Sequence, residues 1–510
     1  MSRRTPDRSL QDITPLFLVQ IHKSVAANVI SGAWLGILIV VTTPWFIKDL
    51  GLEGFGLIGI WQLIFYVSLI LDGGLGASCS RELSRYRGLN LARHRFRHLF
   101  ALFERPILLL GLTIMVLITT ASNHIATQWL DMRTYRIDEV ATAVRWMAVS
   151  VSLQFVTAFY LNVLTGLQRM GVMNAMQIFN NSVKYLGGAI VLALSDGVLT
   201  FFVFQAVAAG VGLLLVRWIA VRSIGGHASD GRVPAEVGSL RRHMRFSGGM
   251  FFTAACGALV SNADRMVVSK MMTGEDLGKY MVALTAIGLL QTLVFAFHRA
   301  YFPRFCELHA AGNQMHLKAA YYGACRTVGT ILIPLALLVF GFTPELFRVW
   351  LGWDTPDMVD LSRWLLLGFT LSGVMWLPAA YQQAIGWTRL HASLMAATLL
   401  VGVPLTIFCV HRLGLVGASA MMVAHGVVEI TAGLWIMNKV CFPGENLLWY
   451  RRVIVGPLLV GLPVVLLSRA TLPHDLGRVS LAVWIIVTVV AQALAVLGAW
   501  RLASRSKPVA

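Results

Sequence analysis

Residues 31–64 read SGAWLGILIVVTTPWFIKDLGLEGFGLIGIWQLI, a pattern that recurs along the chain. An apolar run is followed by a short charged segment around Lys48 and Glu53, and a second apolar run follows. A membrane-spanning helix needs about 20 apolar residues, and the predicted spans here are 24–47 and 55–78. Because every backbone amide in lipid needs an internal partner, these runs are predicted to be helices.

The whole composition fits repetition of this pattern. Of 510 residues, 57% are hydrophobic and 13% are charged. A soluble domain carries about 25% charged residues, so we predict an all-α polytopic membrane protein with about fourteen spans. After the first two, the predicted spans are 99–120, 143–165, 173–194, 198–220, 248–271, 278–302, 321–342, 361–383, 391–410, 415–438, 453–469 and 479–500.

The formal net charge of +18 has its basic residues in short connections between apolar runs. This distribution indicates membrane topology rather than a nucleic-acid partner. Arginines are concentrated after predicted spans two, six, twelve and fourteen, whereas the opposite connections are mixed or acidic. By the positive-inside rule, both termini are predicted to be cytoplasmic.

The chain also repeats itself internally. Glu53 and Gly56 correspond to Glu275 and Gly278, and TGLQRM near Gly166 resembles IGWTRL at an offset of 220. Because the offset covers six spans, the repeats have the same orientation, as in two-lobed transporters with a central cavity. The predicted division is an N-terminal segment 1–23, an N-lobe 24–222, a linker 223–247, a C-lobe 248–440 and an appended helix pair with tail 441–510.

Ionisable side chains inside spans are the candidate site residues, because each costs about 2.5–3.5 kcal/mol at mid-bilayer. Predicted span seven carries Asn262, Asp264 and Arg265. They could form an internal Asp–Arg pair, but a buried pair is costly, so we favour cavity lining. A cavity-facing arginine suits a phosphate, which it binds with two parallel hydrogen bonds.

Predicted span five carries a polar stripe that includes Asn181 and Lys184. Its spacing of three and four residues places it on one helix face. Amides with a lysine can hold sugar hydroxyls and phosphate, although hydrogen bonding between helices is an equally simple explanation.

The remaining candidates have similar alternatives. Asp72, at the end of predicted span two, is interpreted as a gate contact or as a helix-end carboxylate paired with arginines. The pair His425 and Glu429, one helical turn apart, could relay a proton or cation, or be a satisfied structural pair. Predicted span eight adds three cavity candidates, for two of which an interfacial position is the alternative: Gln291, His298 and Arg299.

Enzymatic activity is not expected. The chain has no phosphate-binding loop of the G-x-x-x-x-G-K-[ST] type, and no cofactor or metal is expected. The six cysteines form no C-x-x-C pair and are interpreted as free thiols in apolar stretches.

Three stretches resemble one family. The opening stretch with LDGGLGASCSRELSR from 71, LTGLQRMGVMNAM from 164 and SNADRMVVSKMMTGEDLGKYMVA from 261 are similar to Wzx-type polysaccharide flippases of the multidrug/oligosaccharidyl-lipid/polysaccharide (MOP) exporter superfamily. The resemblance implies a V-shaped, two-lobed fold with spans 1–6 and 7–12 as lobes. It implies translocation of polyprenyl-pyrophosphate-linked oligosaccharide to the periplasmic leaflet of a bacterial inner membrane, through a cationic cavity that Lys184, Arg265 and Arg299 fit.

The implied partners are that lipid-linked oligosaccharide and the bilayer, with polysaccharide polymerase and assembly proteins as optional partners. Three alternatives stay open. A lipid II flippase would usually carry an arginine- and aspartate-rich motif around the first span, which is missing here. An ion-coupled multidrug antiporter would usually have twelve spans and an acidic cavity. A non-transporting scaffold of a glycan-assembly complex would tolerate changes in the cavity.

Overall fold

The computed structural model describes residues 15–88, 93–195, 197–224, 255–353, 356–473 and 476–505. These residues are almost entirely helical. The α-helices are Pro15–Ile70, Leu75–Gly88, Arg93–His124, Ile137–Gly166, Met170–Ser182, Gly188–Leu194, Val198–Ile224, Ala263–Met271, Gly274–Ala310, Gln314–Gly341, Thr343–Leu351, Pro356–Ala384, Thr388–Leu413, Ala420–Val428, Leu434–Cys441, Asn446–Tyr450, Gly456–Ala470 and Arg478–Arg505. Short π or 3₁₀ turns join or extend several of them: Ile125–Trp129, Val183–Gly187, Gly414–Ser419, Glu429–Gly433 and Arg451–Val455.

The predicted all-α polytopic fold is confirmed. Ten helical segments of the described chain are long and apolar enough to cross a membrane. Of these, Ile30–Ile70 covers most of predicted spans one and two, and Arg389–Cys441 contains predicted spans eleven and twelve. Spans five and seven fall outside that set; the asparagines and lysine of span five lower its hydropathy. We number the spans by the described helices as 15–50, 52–70, 93–129, 137–166, 170–194, 198–224, 255–271, 274–310, 314–341, 356–384, 388–413, 414–441, 446–470 and 478–505.

Spans one and two are two helices that meet directly at a sharp kink, with no loop between them. The kink is at Gly51, whose φ of 70° lies in the left-handed region that favours glycine. Two residues later, the Glu53 carboxylate accepts hydrogen bonds from the backbone amides of Arg133 and Thr134, the latter at 2.7 Å. Glu53 therefore fixes the connection between spans three and four to the kink.

Span two ends earlier than the predicted 55–78. The helix stops at Ile70, and Gly73 and Gly74 have φ values of 58° and 77°. A separate helix, Leu75–Gly88, follows, and Asp72 accepts a hydrogen bond from the Gly76 amide at its start. The hydropathy of LGASC concealed this break, because apolar residues continue past the turn.

We call spans one to six the first half and spans seven to twelve the second half; they meet along spans one, two and eight. A methyl group at Gly56 would lie 2.6 Å from the carbonyl oxygen of Gly274, and one at Gly278 would clash with the carbonyl of Leu52. These two close approaches are reciprocal, because the internal repeat pairs Gly56 with Gly278 and Leu52 with Gly274. Any side chain larger than hydrogen would separate the halves here.

A hydrogen bond between the halves depends on a proline. Pro44 lies inside span one and has no amide hydrogen, so the carbonyl of Val40 loses its usual helical donor. The indole nitrogen of Trp350, on the short helix Thr343–Leu351, donates to that carbonyl at 2.7 Å. This helix, which the sequence did not predict, ties span one to the second half.

Spans thirteen and fourteen pack on the second half, against span nine. Gln492 of span fourteen donates to the carbonyl of Pro334 at 2.7 Å. In the turn before span thirteen, Glu445 binds Lys318 and accepts from the Tyr322 hydroxyl at 2.6 Å. The domain boundaries stay a prediction, and most of the linker 223–247 lies outside the described residues.

Candidate functional site

A polar cavity of about 280 Å³, which we call the second-half cavity, lies among spans seven, eight, ten, eleven and twelve. Six of the predicted site residues line it: Asp264, Arg265, Gln291, His298, His425 and Glu429. Its other walls include polar and aromatic residues that the sequence did not single out: Ser261, Gln383, His391, Phe295 and Trp376.

Arg265 is held in this cavity by a break in span seven. Residues 261–262 form a turn, and the Asn262 side chain accepts from the Arg265 guanidinium at 3.1 Å. The buried Nε of Arg265 has no hydrogen-bond partner among the described residues. The guanidinium carbon Cζ of Arg265 lies 5.9 Å from the ring centroid of Tyr66, a residue of the first half. Arg265 thus keeps hydrogen-bonding capacity for an anion in the cavity.

Asp264 does not neutralise this guanidinium directly. Its carboxylate accepts from the Tyr280 hydroxyl and, at 2.8 Å, from the backbone amide of Arg265. Among the described residues there is no ion pair between the Asp264 and Arg265 side chains. The geometry agrees with cavity lining better than with the internal pair considered as the alternative.

A cluster of imidazoles surrounds Glu429 at another wall of the same cavity. The carboxylate of Glu429 lies 3.5 Å from Nε2 of His425 and 3.8 Å from Nδ1 of His391. The other ring nitrogen of His425 lies 3.2 Å from the Thr398 hydroxyl. Sequence spacing identified His425 and Glu429 on one helix, but it missed His391, which reaches them from span eleven. A histidine at the start of predicted span 391–410 was the available signal.

A smaller polar cavity, which we call the first-half cavity, has a volume of about 70 Å³ and surrounds Lys184. The ammonium lies 4.1 Å from the centroid of the Trp61 ring and 3.5 Å from the Gln154 side-chain oxygen. Lys184 sits on the π turn Val183–Gly187, and Gln205 donates to its carbonyl at 2.8 Å. Asn181 also lines this cavity, whose described lining contains no carboxylate.

The rest of the polar stripe of span five, Asn174 and Gln177, faces span one. Asn174 donates to Asn28 at 2.7 Å, and the Ser31 hydroxyl donates to Gln177 at 3.5 Å. This part of the stripe therefore makes hydrogen bonds between helices and does not line a described cavity. Only the end nearer Lys184 opens on a cavity.

Two predicted site residues lie elsewhere. Asp72 starts the helix Leu75–Gly88, and no described ion pair joins it to an arginine. Arg299 is exposed, with its guanidinium 6.0 Å from the Phe295 ring centroid, and it does not line either cavity. The interfacial alternative suits Arg299, because a long cationic side chain at a helix end reaches toward water.

These helices and intramembrane cavities define a multi-pass α-helical membrane protein. Residues 21–309 match the family described as "Polysaccharide biosynthesis protein", and the chain belongs to that family. It is 21% identical, over 411 residues, to a protein of Shigella flexneri described as "Putative O-antigen transporter", with 78% of this chain and 93% of that protein covered.

Solved structures share the fold. A lipid II flippase, MurJ, in an inward closed conformation superposes with a TM-score of 0.71 and 14% identity, covering 93% of this chain and 98% of that one. An inward-facing multidrug resistance transporter of the MATE family and MOP superfamily has a TM-score of 0.63 and 15% identity, covering 79% and 95%. These structures confirm the predicted likeness in fold to transporters of the MOP superfamily.

Proposed function

We propose that this protein translocates an oligosaccharide linked to polyprenyl pyrophosphate from the cytoplasmic to the periplasmic leaflet of a bacterial inner membrane, for cell-surface polysaccharide biosynthesis. The observation that carries the proposal is the buried Nε of Arg265, which has no hydrogen-bond partner among the described residues and lies beside a cavity of about 280 Å³. Guanidinium groups bind phosphates by charge-assisted hydrogen bonds. Membership of a polysaccharide biosynthesis family and the relative described as an O-antigen transporter support the choice of cargo.

In the proposed mechanism, the two cavities hold the polar head of the cargo. Arg265 binds the pyrophosphate, and amide side chains near Lys184 bind sugar hydroxyls. The polyprenyl tail stays in lipid, because transferring its apolar surface into a polar cavity would be unfavourable. Separation of spans two and eight at Gly56 and Gly278 would open the cavities to the other leaflet. Both termini are placed in the cytoplasm, as the distribution of arginines predicts.

Complementation tests this function. The full chain is expressed in cells that lack their own flippase for a defined surface polysaccharide, and surface polymer is measured. The chain should restore polymer, and Arg265→Ala and Lys184→Ala should abolish it at unchanged protein level. Arg304→Ala is the matched control, because Arg304 is exposed and pairs with Glu307 on the surface. Normal polymer in both cavity variants would contradict the assignment.

The competing cargoes are tested in parallel. Cells depleted of their lipid II flippase and cells lacking a multidrug antiporter receive the same plasmid. If surface polymer is not restored, survival of the cells depleted of lipid II flippase would identify lipid II as the cargo. Expulsion of cationic dye by the cells lacking an antiporter would instead identify a cationic drug as the cargo. A scaffold would tolerate both cavity substitutions and fail when surface loops are changed.

A further inference from the structure

A third pocket lies on the outer face of the second half, apart from both cavities. It has a volume of about 140 Å³ between spans nine, thirteen and fourteen. Its lining shares no residue with the lining of either cavity. The lining residues are Arg326, Thr330, Arg452, Gly456, Pro457, Val460, Val496 and Ala499.

The ends of the helices that line this pocket indicate how deep in the membrane it lies. Arg452 directly precedes the apolar run 453–469 of span thirteen, and Ala499 lies at the end of the apolar run 479–500 of span fourteen. Both positions lie on the side where span fourteen ends, which we call the terminal side. The pocket therefore lies where the hydrocarbon core meets the lipid headgroups of the terminal-side leaflet.

The charges in the pocket are unbalanced. Arg326 is half-buried and makes no hydrogen bond or ion pair with another described residue. Arg452 is exposed; the carboxylate that interacts with it electrostatically, Glu445, is also bound by Lys318 and Tyr322. The described lining has two guanidinium groups and no carboxylate. A cation one turn or more inside an apolar span is costly unless an anion accompanies it.

The walls beneath the arginines suit a hydrocarbon chain. Gly456 has no side chain, and Val460 and Val496 present small apolar groups. Thr330, one helical turn beyond Arg326 on span nine, also lines the pocket. A ligand with an anionic head and an apolar chain matches this order of groups.

We propose that this pocket binds an anionic phospholipid of the terminal-side leaflet, with Arg326 and Arg452 on its phosphate and the first acyl carbons against Val460 and Val496. Basic pockets between membrane-spanning helices bind anionic headgroups in this way. The lipid joins the appended spans thirteen and fourteen to span nine. It is not cargo, so the proposal does not depend on what the cavities translocate.

Thermal unfolding of the purified, delipidated full chain tests the proposal. Dioleoylphosphatidylglycerol should raise the unfolding temperature in a saturable way, because a ligand that binds the native state stabilises it. Dioleoylphosphatidylcholine, which has the same chains and no net charge, should have a much smaller effect. Equal stabilisation by both lipids, or saturation by inorganic phosphate alone, would overturn the assignment to an anionic lipid.

Variants locate the binding. Arg326→Gln and Arg452→Gln should each weaken phosphatidylglycerol binding about tenfold or more, as expected for loss of a charge-assisted hydrogen bond. Arg222→Gln is the matched control, because Arg222 is an exposed arginine at the terminal-side end of span six. Arg326→Lys keeps the charge and should retain part of the affinity if the protein folds normally. Unchanged lipid binding in both glutamine variants, or equal loss in the control, would overturn the proposal.

Discussion

The two polar cavities differ in how they carry charge. The first-half cavity contains Lys184 as the one charged group of its described lining, among amides and hydroxyls. The second-half cavity contains the Arg265 guanidinium, two carboxylates and three imidazoles. With neutral imidazoles and ionised carboxylates, the second-half cavity is not cationic. The positive character inferred from the sequence therefore holds for the first half, whereas in the second half it depends on bound protons.

The largest expected effect is on the transport rate when Arg265 and Lys184 are each replaced by the other basic residue. Arg265→Lys should lower transport by roughly tenfold or more, because a lysine lacks the planar guanidinium that can hydrogen-bond Asn262 and a phosphate at the same time. Lys184→Arg should retain most activity, because a guanidinium can also stack on Trp61. Initial rates of surface polymer formation measure both. The reverse order would show that the lysine, not the arginine, provides the specific contact.

The next effect concerns pH. Each proton bound by His391, His425 or Glu429 adds one positive charge to the second-half cavity, so its affinity for an anion should rise as pH falls. The other charged or titratable groups in the lining are His298, Asp264 and Arg265. Glu429→Gln removes one negative charge and one proton site, and it should flatten the pH dependence of cargo binding. An unchanged pH profile would exclude this cluster.

A smaller effect is expected on stability when the corresponding glutamates of the two repeats are substituted. Glu53 is buried and accepts two backbone amides, whereas its counterpart Glu275 is exposed and pairs with Lys279 at 3.1 Å. Glu53→Gln should lower stability by about 1–3 kcal/mol, and Glu275→Gln by about 0–1 kcal/mol. Unfolding temperatures of the purified variants give the comparison. Similar losses would mean that the repeats use this glutamate alike.

The smallest effect lies outside the membrane. Burial opposes ionisation of Glu445, but hydrogen bonds from Lys318 and Tyr322 outweigh it and lower the pKa of this carboxyl. A lowered pKa contributes stability above the unfolded-state pKa, and that stability is lost as pH falls through the folded-state pKa. Glu445→Gln should therefore destabilise slightly at neutral pH and not in acid. Unfolding at two pH values checks this; a difference that persists in acid would contradict it.

The sequence predicted what hydropathy and helical spacing encode. Apolar runs located the spans, and the spacing of four joined His425 to Glu429. Hydropathy and spacing did not predict contacts between helices. His391 reaches Glu429 from another span, and the Tyr280 hydroxyl donates a hydrogen bond to the Asp264 carboxylate. Exposure is also set by packing, which is why Arg299 resembled a cavity cation in the sequence and lies outside the cavities.

The reciprocal approach of Leu52 to Gly278 and of Gly56 to Gly274 has a historical consequence. In a homodimer with two-fold symmetry, residue i of one subunit touches residue j of the other, and j touches i in return. The two close approaches keep that relation between repeats of one chain. They are what would remain if two copies of a six-span ancestor once associated through this surface and were later fused.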